Sequence, residues 1–220
     1  MTETDFLSRT RTSYDTIADY YAEWIEGELA GRPGDRAVLA WFAELVRGDD
    51  LGPVADIGCG PGRISAHLHG LGVRVFGVDL SPAMIEVARR TYPDLRFDVG
   101  SMTSLELADG SLGGIVAWYS IIHVPDDALP RVFAEFERVL APGGYLQLAF
   151  QVGDEPLHRD EAAGFDISLD FHRRQPDRVA ALLTEAGFEL RAHLLRERET
   201  YGEFEEKTPQ AFLLARKRSA

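Results

Sequence analysis

VADIGCGPGRISAHLHGLGVRVFGVDLS, residues 54–81, is the stretch on which the fold turns. An apolar run enters a glycine-dense turn, Gly58-Cys59-Gly60-Pro61-Gly62, and a short helical pattern follows with Ile64, Leu68 and Leu71 on one face. A second apolar run, Val73 to Val78, then ends on Asp79. Strand, turn, helix, strand and terminal acid make a βαβ unit, whose crossover is right-handed when its strands are parallel. The turn glycines let the backbone come close to a ligand, and the amides opening the helix offer donors to an anionic group. An acid closing the second strand is placed to accept two hydrogen bonds from a ribose diol. These features together predict a nucleoside site.

Glycine spacing separates the kinds of nucleoside site. The dinucleotide fingerprint is G-x-G-x-x-G, with a pyrophosphate on the first helical turn. Here the pattern is G-x-G-x-G preceded by an acid, Asp56-Ile57-Gly58-Cys59-Gly60-Pro61-Gly62. In this the chain resembles the class I S-adenosylmethionine (SAM) dependent methyltransferases. The phrase Arg138-Val139-Leu140-Ala141-Pro142-Gly143-Gly144 is similar to that family's link from fourth helix to fifth strand, and Tyr14-Asp-x-x-Ala-x-x-Tyr21 is similar to its N-terminal segment. The resemblance runs over roughly residues 10–218. It implies an α/β fold: a Rossmann-like, seven-stranded, mostly parallel sheet with helices on both faces and a C-terminal antiparallel hairpin.

The same resemblance implies SAM as cofactor and a set of contacts. Asp56, Gly58, Cys59, Gly60, Gly62 and Arg63 would wrap its methionine end, and Asp79 with Leu80 its ribose. Met84 would lie against the adenine. Ser101 and Met102 stand where the family usually presents an acid to the adenine amino group, and that acid is missing here. Trp118 and Tyr119 close a near-continuous apolar strand, Gly114 to Ser120, of the kind expected in the middle of a parallel sheet. Ligands in open α/β sheets sit beyond the carboxyl ends of the strands, so this end faces the transferable methyl.

His123 follows in the same segment. An imidazole titrates near neutral pH, which makes His123 a candidate base for an acceptor that loses a proton on attack. A histidine that only orients substrate fits the sequence equally well. Tyr14 is grouped with it as catalytic. Tyr14, Tyr119, His123, Phe150, Gln151, His158 and His172 are the candidate substrate contacts. The two histidines of the polar stretch 151–175 lack tight ligand spacing, so no metal is expected and that stretch reads as a substrate-covering loop.

Elsewhere the pattern predicts scaffold. Residues 14–25 form an amphipathic, aromatic helix with Tyr14, Ile17, Ala18, Tyr21 and Ile25 on one face; with the residues around it (about 5–30) it reads as a lid whose rings would attract a sulfonium. A helix over Asp35–Arg47 turns Val38, Trp41, Phe42 and Leu45 inward. Ser81-Pro82 starts another, with Ser at the N-cap. Asp126 or Asp127 would cap a helix carrying Val132, Phe133 and Phe136 inward, and Gln175-Pro176 opens one more.

The length of 220 residues suits a single domain, 1–220. A net charge of −13 argues against a nucleic-acid surface and against anionic membranes. The expected partner is a small-molecule substrate, and the expected assembly a monomer or homodimer. One cysteine permits no intrachain disulfide, no apolar run reaches spanning length, and the N-terminus lacks a signal-peptide core, so the cytoplasm is expected. Methyl transfer to an oxygen or nitrogen of a metabolite is the predicted activity. The alternative is a non-catalytic SAM-binding regulatory subunit of the same fold.

Overall fold

The structure, a computed structural model, describes residues 3–201 and 204–219. Seven strands form one sheet in the order β3-β2-β1-β4-β5-β11-β8. They are β1 (Val54–Ile57), β2 (Val75–Asp79), β3 (Phe97–Val99), β4 (Leu112–Trp118), β5 (Leu140–Gln151), β8 (Phe188–Arg196) and β11 (Gln210–Lys217). Strands β3 through β5 pair in parallel, and β11 runs antiparallel to both β5 and β8. The expected seven-stranded, mostly parallel sheet with its antiparallel C-terminal hairpin is therefore present.

The helices are α1 (Glu3–Trp24), α2 (Pro33–Asp49), α3 (Arg63–Gly70), α4 (Pro82–Thr91), α5 (Leu129–Val139) and α6 (Pro176–Glu185). On one face α2 and α3 pack Leu39, Phe42 and Leu68 against Val116 and Phe212. On the other α5 and α6 bury Phe133, Phe136 and Leu183 against Ile115 and Leu148. Order reversal between β1 and β4 opens a crevice at their carboxyl ends, where open α/β sheets hold ligands. None of the described helices is long and apolar enough to cross a membrane.

Local chemistry explains most boundaries. Ser81 caps α4, its Oγ accepting the Met84 amide at 3.1 Å, with Pro82 at the first helical position. Four expectations are corrected. Trp41 is 45% exposed, because the buried stripe of α2 runs through Val38, Leu39, Phe42, Ala43 and Val46. Neither Asp126 nor Asp127 caps α5, which starts at Leu129 after an Ala128 that makes no side-chain cap bond. Pro142-Gly143-Gly144 does not separate helix from strand, since β5 begins at Leu140 directly after α5. The stretch 151–175 is not irregular: β6 (Leu157–Ala162) and β7 (Phe165–Phe171) form an antiparallel hairpin turning at Ala163-Gly164, both at positive φ. A second small antiparallel pair, β9 (Thr200–Tyr201) with β10 (Phe204–Glu205), lies between β8 and β11 in sequence.

Candidate active site

The cleft at the crevice is walled by the glycine turn, the ends of β2 and β4, and α1, with about 990 Å³ of space that includes its open mouth. Gly58 sits at φ +76, and a Cβ there would lie 2.3 Å from the Ser120 Cβ. Only glycine lets this turn close on β4. Gly60, at φ +53, has nothing nearer than the Tyr21 ring at 4.0 Å, so its bare backbone faces the cleft. Gly62 does not line the cleft; it packs beneath the turn, against Phe97 and Tyr92.

Two carboxylates flank the turn. Asp79 accepts the Gly60 amide on Oδ2 at 2.8 Å and the Ser81 amide on Oδ1 at 2.9 Å. Burial raises its pKa while those amides oppose the shift. Asp56 accepts the Ser65 hydroxyl on Oδ2 at 2.7 Å, and its Oδ1 is buried with no partner among the described residues. Burial pushes its carboxyl up to about 7. A buried, single-sided carboxylate in a cleft suits a cationic N–H donor. The donor set therefore fits the charged amino end of SAM at Asp56 and its ribose at Asp79. Cys59 lines the same wall but is buried, with its thiol pKa well above the ordinary value, and it serves as a small packing residue. Arg63 is ion-paired to Glu28 at 3.0 Å, and Glu28 in turn to Arg32 at 3.1 Å.

Leu80, Met84, Ser101 and Met102 line the cleft too, and the Ser101 hydroxyl bonds that of Thr103 at 2.9 Å. Leu7, Thr10 and Arg11 of α1 join them. These three were not foreseen: they lie in a turn of helix with no motif, and only tertiary docking brings them over the sheet. That docking is explicit. Asp15 Oδ1 accepts the Ser81 hydroxyl at 2.6 Å and the Ala83 amide at 3.2 Å. Tyr14 and Tyr21 meet edge to face, centroids 5.8 Å apart, on the cleft side of α1.

Tyr14 and His123, 109 positions apart in sequence, meet with Oη and Nε2 2.8 Å from each other. The His123 Nδ1 lies 2.9 Å from the backbone carbonyl of Asp170. A carbonyl only accepts, so the hydrogen of the neutral ring is on Nδ1; Nε2 then offers its lone pair, and the Tyr14 hydroxyl donates to it. Burial lowers the imidazole pKa to about 4, against which the Asp170 carbonyl acts. The ring therefore does not titrate near neutral pH as the sequence suggests; it stays uncharged there. Burial likewise holds the Tyr14 hydroxyl well above its ordinary pKa.

Arg174 fixes this segment and was missed because nothing in the sequence marks it. The residue is 2% exposed, and its guanidinium pairs with Asp126 at 2.8 Å and donates to the carbonyls of Ile121 (3.1 Å), His172 (3.2 Å) and Val124. His123 is thus held between two carbonyls tied to one cation.

Trp118 and Tyr119 line the cleft beside His123, with Tyr119 at φ +54 and its buried hydroxyl lacking a hydrogen-bond partner among the described residues. The other four candidate substrate contacts do not line it. Phe150 is fully buried in the core on the α5 side of the sheet. Gln151 ends β5, its carbonyl accepting the Arg174 amide at 3.1 Å. His158 bonds Asp170 Oδ1 at 2.7 Å on the outer part of the β6–β7 hairpin, half exposed. His172 donates its amide to the Ile122 carbonyl at 2.7 Å.

Residues 54–144 match a family model described as a methyltransferase domain. A demethylmenaquinone methyltransferase of Chlorobaculum parvum is 34% identical over 100 residues, 45% of this chain and 41% of that protein. An O-methyltransferase of Pyrenophora dematioidea is 32% identical over 149 residues, 61% of this chain and 53% of that protein. The chain thus spans about half the length of these curated relatives. The Burkholderia thailandensis 1,6-didemethyltoxoflavin-N1-methyltransferase, solved with 1,6-didemethyltoxoflavin and S-adenosylhomocysteine, superposes with a TM-score of 0.71 at 19% identity, over 100% of this chain and 92% of that one. The chain has the fold of the class I SAM-dependent methyltransferases. Within it, residues 54–144 are the part that matches the methyltransferase-domain model.

Proposed function

We propose that this protein is a SAM-dependent methyltransferase that places a methyl group on an oxygen or nitrogen of a small molecule. The observation that carries this reading is the pair Asp56 and Asp79 on either side of the glycine turn, one with an orphaned buried oxygen and one at the strand end, sharing a single cleft. Bound there, SAM supplies a methyl group on a positively charged sulfur. The chain supplies position: Gly60 gives close backbone approach, and Tyr14 and Tyr21 give an aromatic face that favours a sulfonium. Enclosure under α1 favours displacement by orienting the partners and excluding water.

In this reading residues 1–220 act as one domain, α1 and its flanks are the lid, and the β6–β7 hairpin within 151–175 covers the acceptor. The acidic charge of −13 supports a small-molecule rather than a nucleic-acid or anionic-membrane partner. We place the protein in the cytoplasm as a monomer or homodimer, its one cysteine being consistent with a reducing compartment. Isothermal calorimetry with SAM and S-adenosylhomocysteine tests the reading. Both are expected to bind, and Asp79→Ala to weaken both at least tenfold. Binding of neither sinks it. A stabilising response to NADH with none to SAM moves the site to another cofactor class.

A further inference from the structure

The Tyr14–His123 pair has a polarity that constrains the acceptor. The Asp170 carbonyl holds the His123 hydrogen on Nδ1, and Nε2 takes the Tyr14 proton. The Tyr14 oxygen therefore has only lone pairs left to offer the cleft. From this we infer that Tyr14 selects an acceptor that donates a hydrogen bond, a neutral hydroxyl or an amide-like N–H, and relays its proton to His123. The inference rests on the reading above and names the class of acceptor for that site.

The balance of the step is simple. The acceptor's oxygen or nitrogen forms a bond to the methyl carbon as the carbon–sulfur bond breaks, its electron pair staying on sulfur. The acceptor's proton passes to Tyr14 Oη while the Tyr14 proton passes to His123 Nε2. The resulting imidazolium keeps its Nδ1–H on the Asp170 carbonyl and returns the extra proton to solvent once product leaves. Tyr14 is the catalytic residue here, and His123 acts through it.

The groups around His123 set which acceptors such a relay serves. Besides Tyr14 of α1, the ring faces Phe171 at 4.9 Å, and Asp170, His172 and Arg174 act on its charge. With burial dominating, the ring accepts a proton poorly, its pKa lying at about 4. A hydroxyl or amide-like N–H becomes strongly acidic as it is methylated, so its proton moves to such a base. An alkylamine, protonated at neutral pH like a lysine at about 10.4, loses no proton to it and is not a substrate. A carboxylate has no hydrogen to donate to Tyr14.

The test uses the full chain and a fixed set of probes: 4-nitrophenol, phthalimide, benzylamine and benzoate. First, 4-nitrophenol is titrated without SAM and its absorbance read as phenol or phenolate. The bound molecule is expected to stay protonated to a pH about one unit above its free pKa, and this shift to vanish in Tyr14→Phe. Second, with SAM present, mass spectrometry is expected to find methyl on 4-nitrophenol or phthalimide and none on benzylamine or benzoate. Tyr14→Phe and His123→Asn are each expected to slow that transfer about 100-fold or more, in keeping with proton-transfer catalysis. A bound phenolate, transfer to benzylamine or benzoate, unchanged rates in both variants, or binding by none of the probes overturns the inference. SAM calorimetry on the same samples keeps the two readings apart: loss of SAM binding removes the methyltransferase reading, while the phenol spectrum still decides the role of Tyr14.

Discussion

Ser13 and Ser168 exchange two hydrogen bonds across 155 positions of sequence: the Ser13 hydroxyl accepts the Ser168 amide at 2.8 Å and donates to the Ser168 carbonyl at 3.3 Å. The pair joins the lid helix α1 to β7, one residue before Tyr14, which reaches His123. Arg9 adds an ion pair to Asp170 at 3.1 Å on the same strand. Ser13 is 3% exposed, so water does not replace its bonds when the hydroxyl is removed. Ser13→Ala is expected to cost about 1–2 kcal/mol of α1 docking. Hydrogen exchange checks it: amides of α1 should exchange about tenfold faster, that factor corresponding to about 1.4 kcal/mol, with little change in the strand amides. Equal exchange in both proteins would remove the latch role.

The two turn glycines are expected to fail in different ways. At Gly58 a methyl would overlap Ser120 at 2.3 Å in a backbone already at φ +76. Gly58→Ala should therefore destabilise the fold by several kcal/mol, on the order of an overpacked core combined with a left-handed residue. At Gly60 the methyl meets nothing nearer than the Tyr21 ring at 4.0 Å, on the cleft wall, and φ +53 is left-handed helical. Gly60→Ala should cost only about 1–2 kcal/mol of stability yet weaken SAM binding at least tenfold. Chemical denaturation alongside calorimetry separates them. Similar stability loss in both variants would contradict the geometry.

The central unit was legible in the sequence because its signals are local. A glycine turn between two apolar runs, the Ser81 cap and the acid at Asp79 each depend on neighbours within a few residues. The β6–β7 hairpin was only half legible. Strand β7, Phe165-Asp166-Ile167-Ser168-Leu169-Asp170-Phe171, alternates apolar and polar residues as a half-buried strand does, and its Ile167 and Leu169 are buried against α1, whereas β6 is mostly exposed and carries no such alternation. Phe150 misled for a related reason: β5 is buried on both faces, so proximity to the strand end does not decide whether a side chain faces the cleft or the core. The Tyr14–His123 bond and the Arg174 clamp are long-range juxtapositions without any spacing rule. Asp126 illustrates the ambiguity, since an acid shortly before a helix reads as a cap and here serves as the partner of Arg174 instead.

Arg174 is expected to matter for stability and for chemistry at once. Arg174→Met takes the guanidinium donor from the carbonyls of Ile121, Val124 and His172 and removes one of the two arginines paired with Asp126, Arg178 being the other. Because the guanidinium is buried while Asp126 is 40% exposed, the loss falls mainly on the carbonyls. A destabilisation of about 3 kcal/mol is expected, typical of breaking one side of a buried charged network. Turnover should fall more than SAM affinity, since the 121–124 segment carries His123 and not the glycine turn. Urea denaturation and a comparison of kcat with SAM binding check the two parts. A loss confined to SAM affinity would mean that Arg174 supports the turn instead.

Asp56 links pH to both folding and ligand binding. Its carboxyl sits at about 7 in the folded chain because burial dominates, against about 3.9 for an ordinary aspartate. Between those values the folded chain holds a proton that the unfolded chain has released. The contribution is therefore complete below about 3.9 and is lost as pH rises through about 7. Asp56→Asn removes the titration, so its stability should decline less between pH 5 and pH 8 than that of the natural chain. The cationic amino end of SAM reverses the preference at the site, because it favours the ionised carboxylate. SAM binding should then release a proton near pH 6–7 and weaken as the pH falls below 7. Calorimetry in two buffers of different ionisation enthalpy measures that proton directly. Asp56→Asn should bind more weakly, release no proton, and lose the pH dependence. Equal proton release by the natural chain and the variant would place the titrating group elsewhere and leave the Asp56 Oδ1 without the role assigned to it.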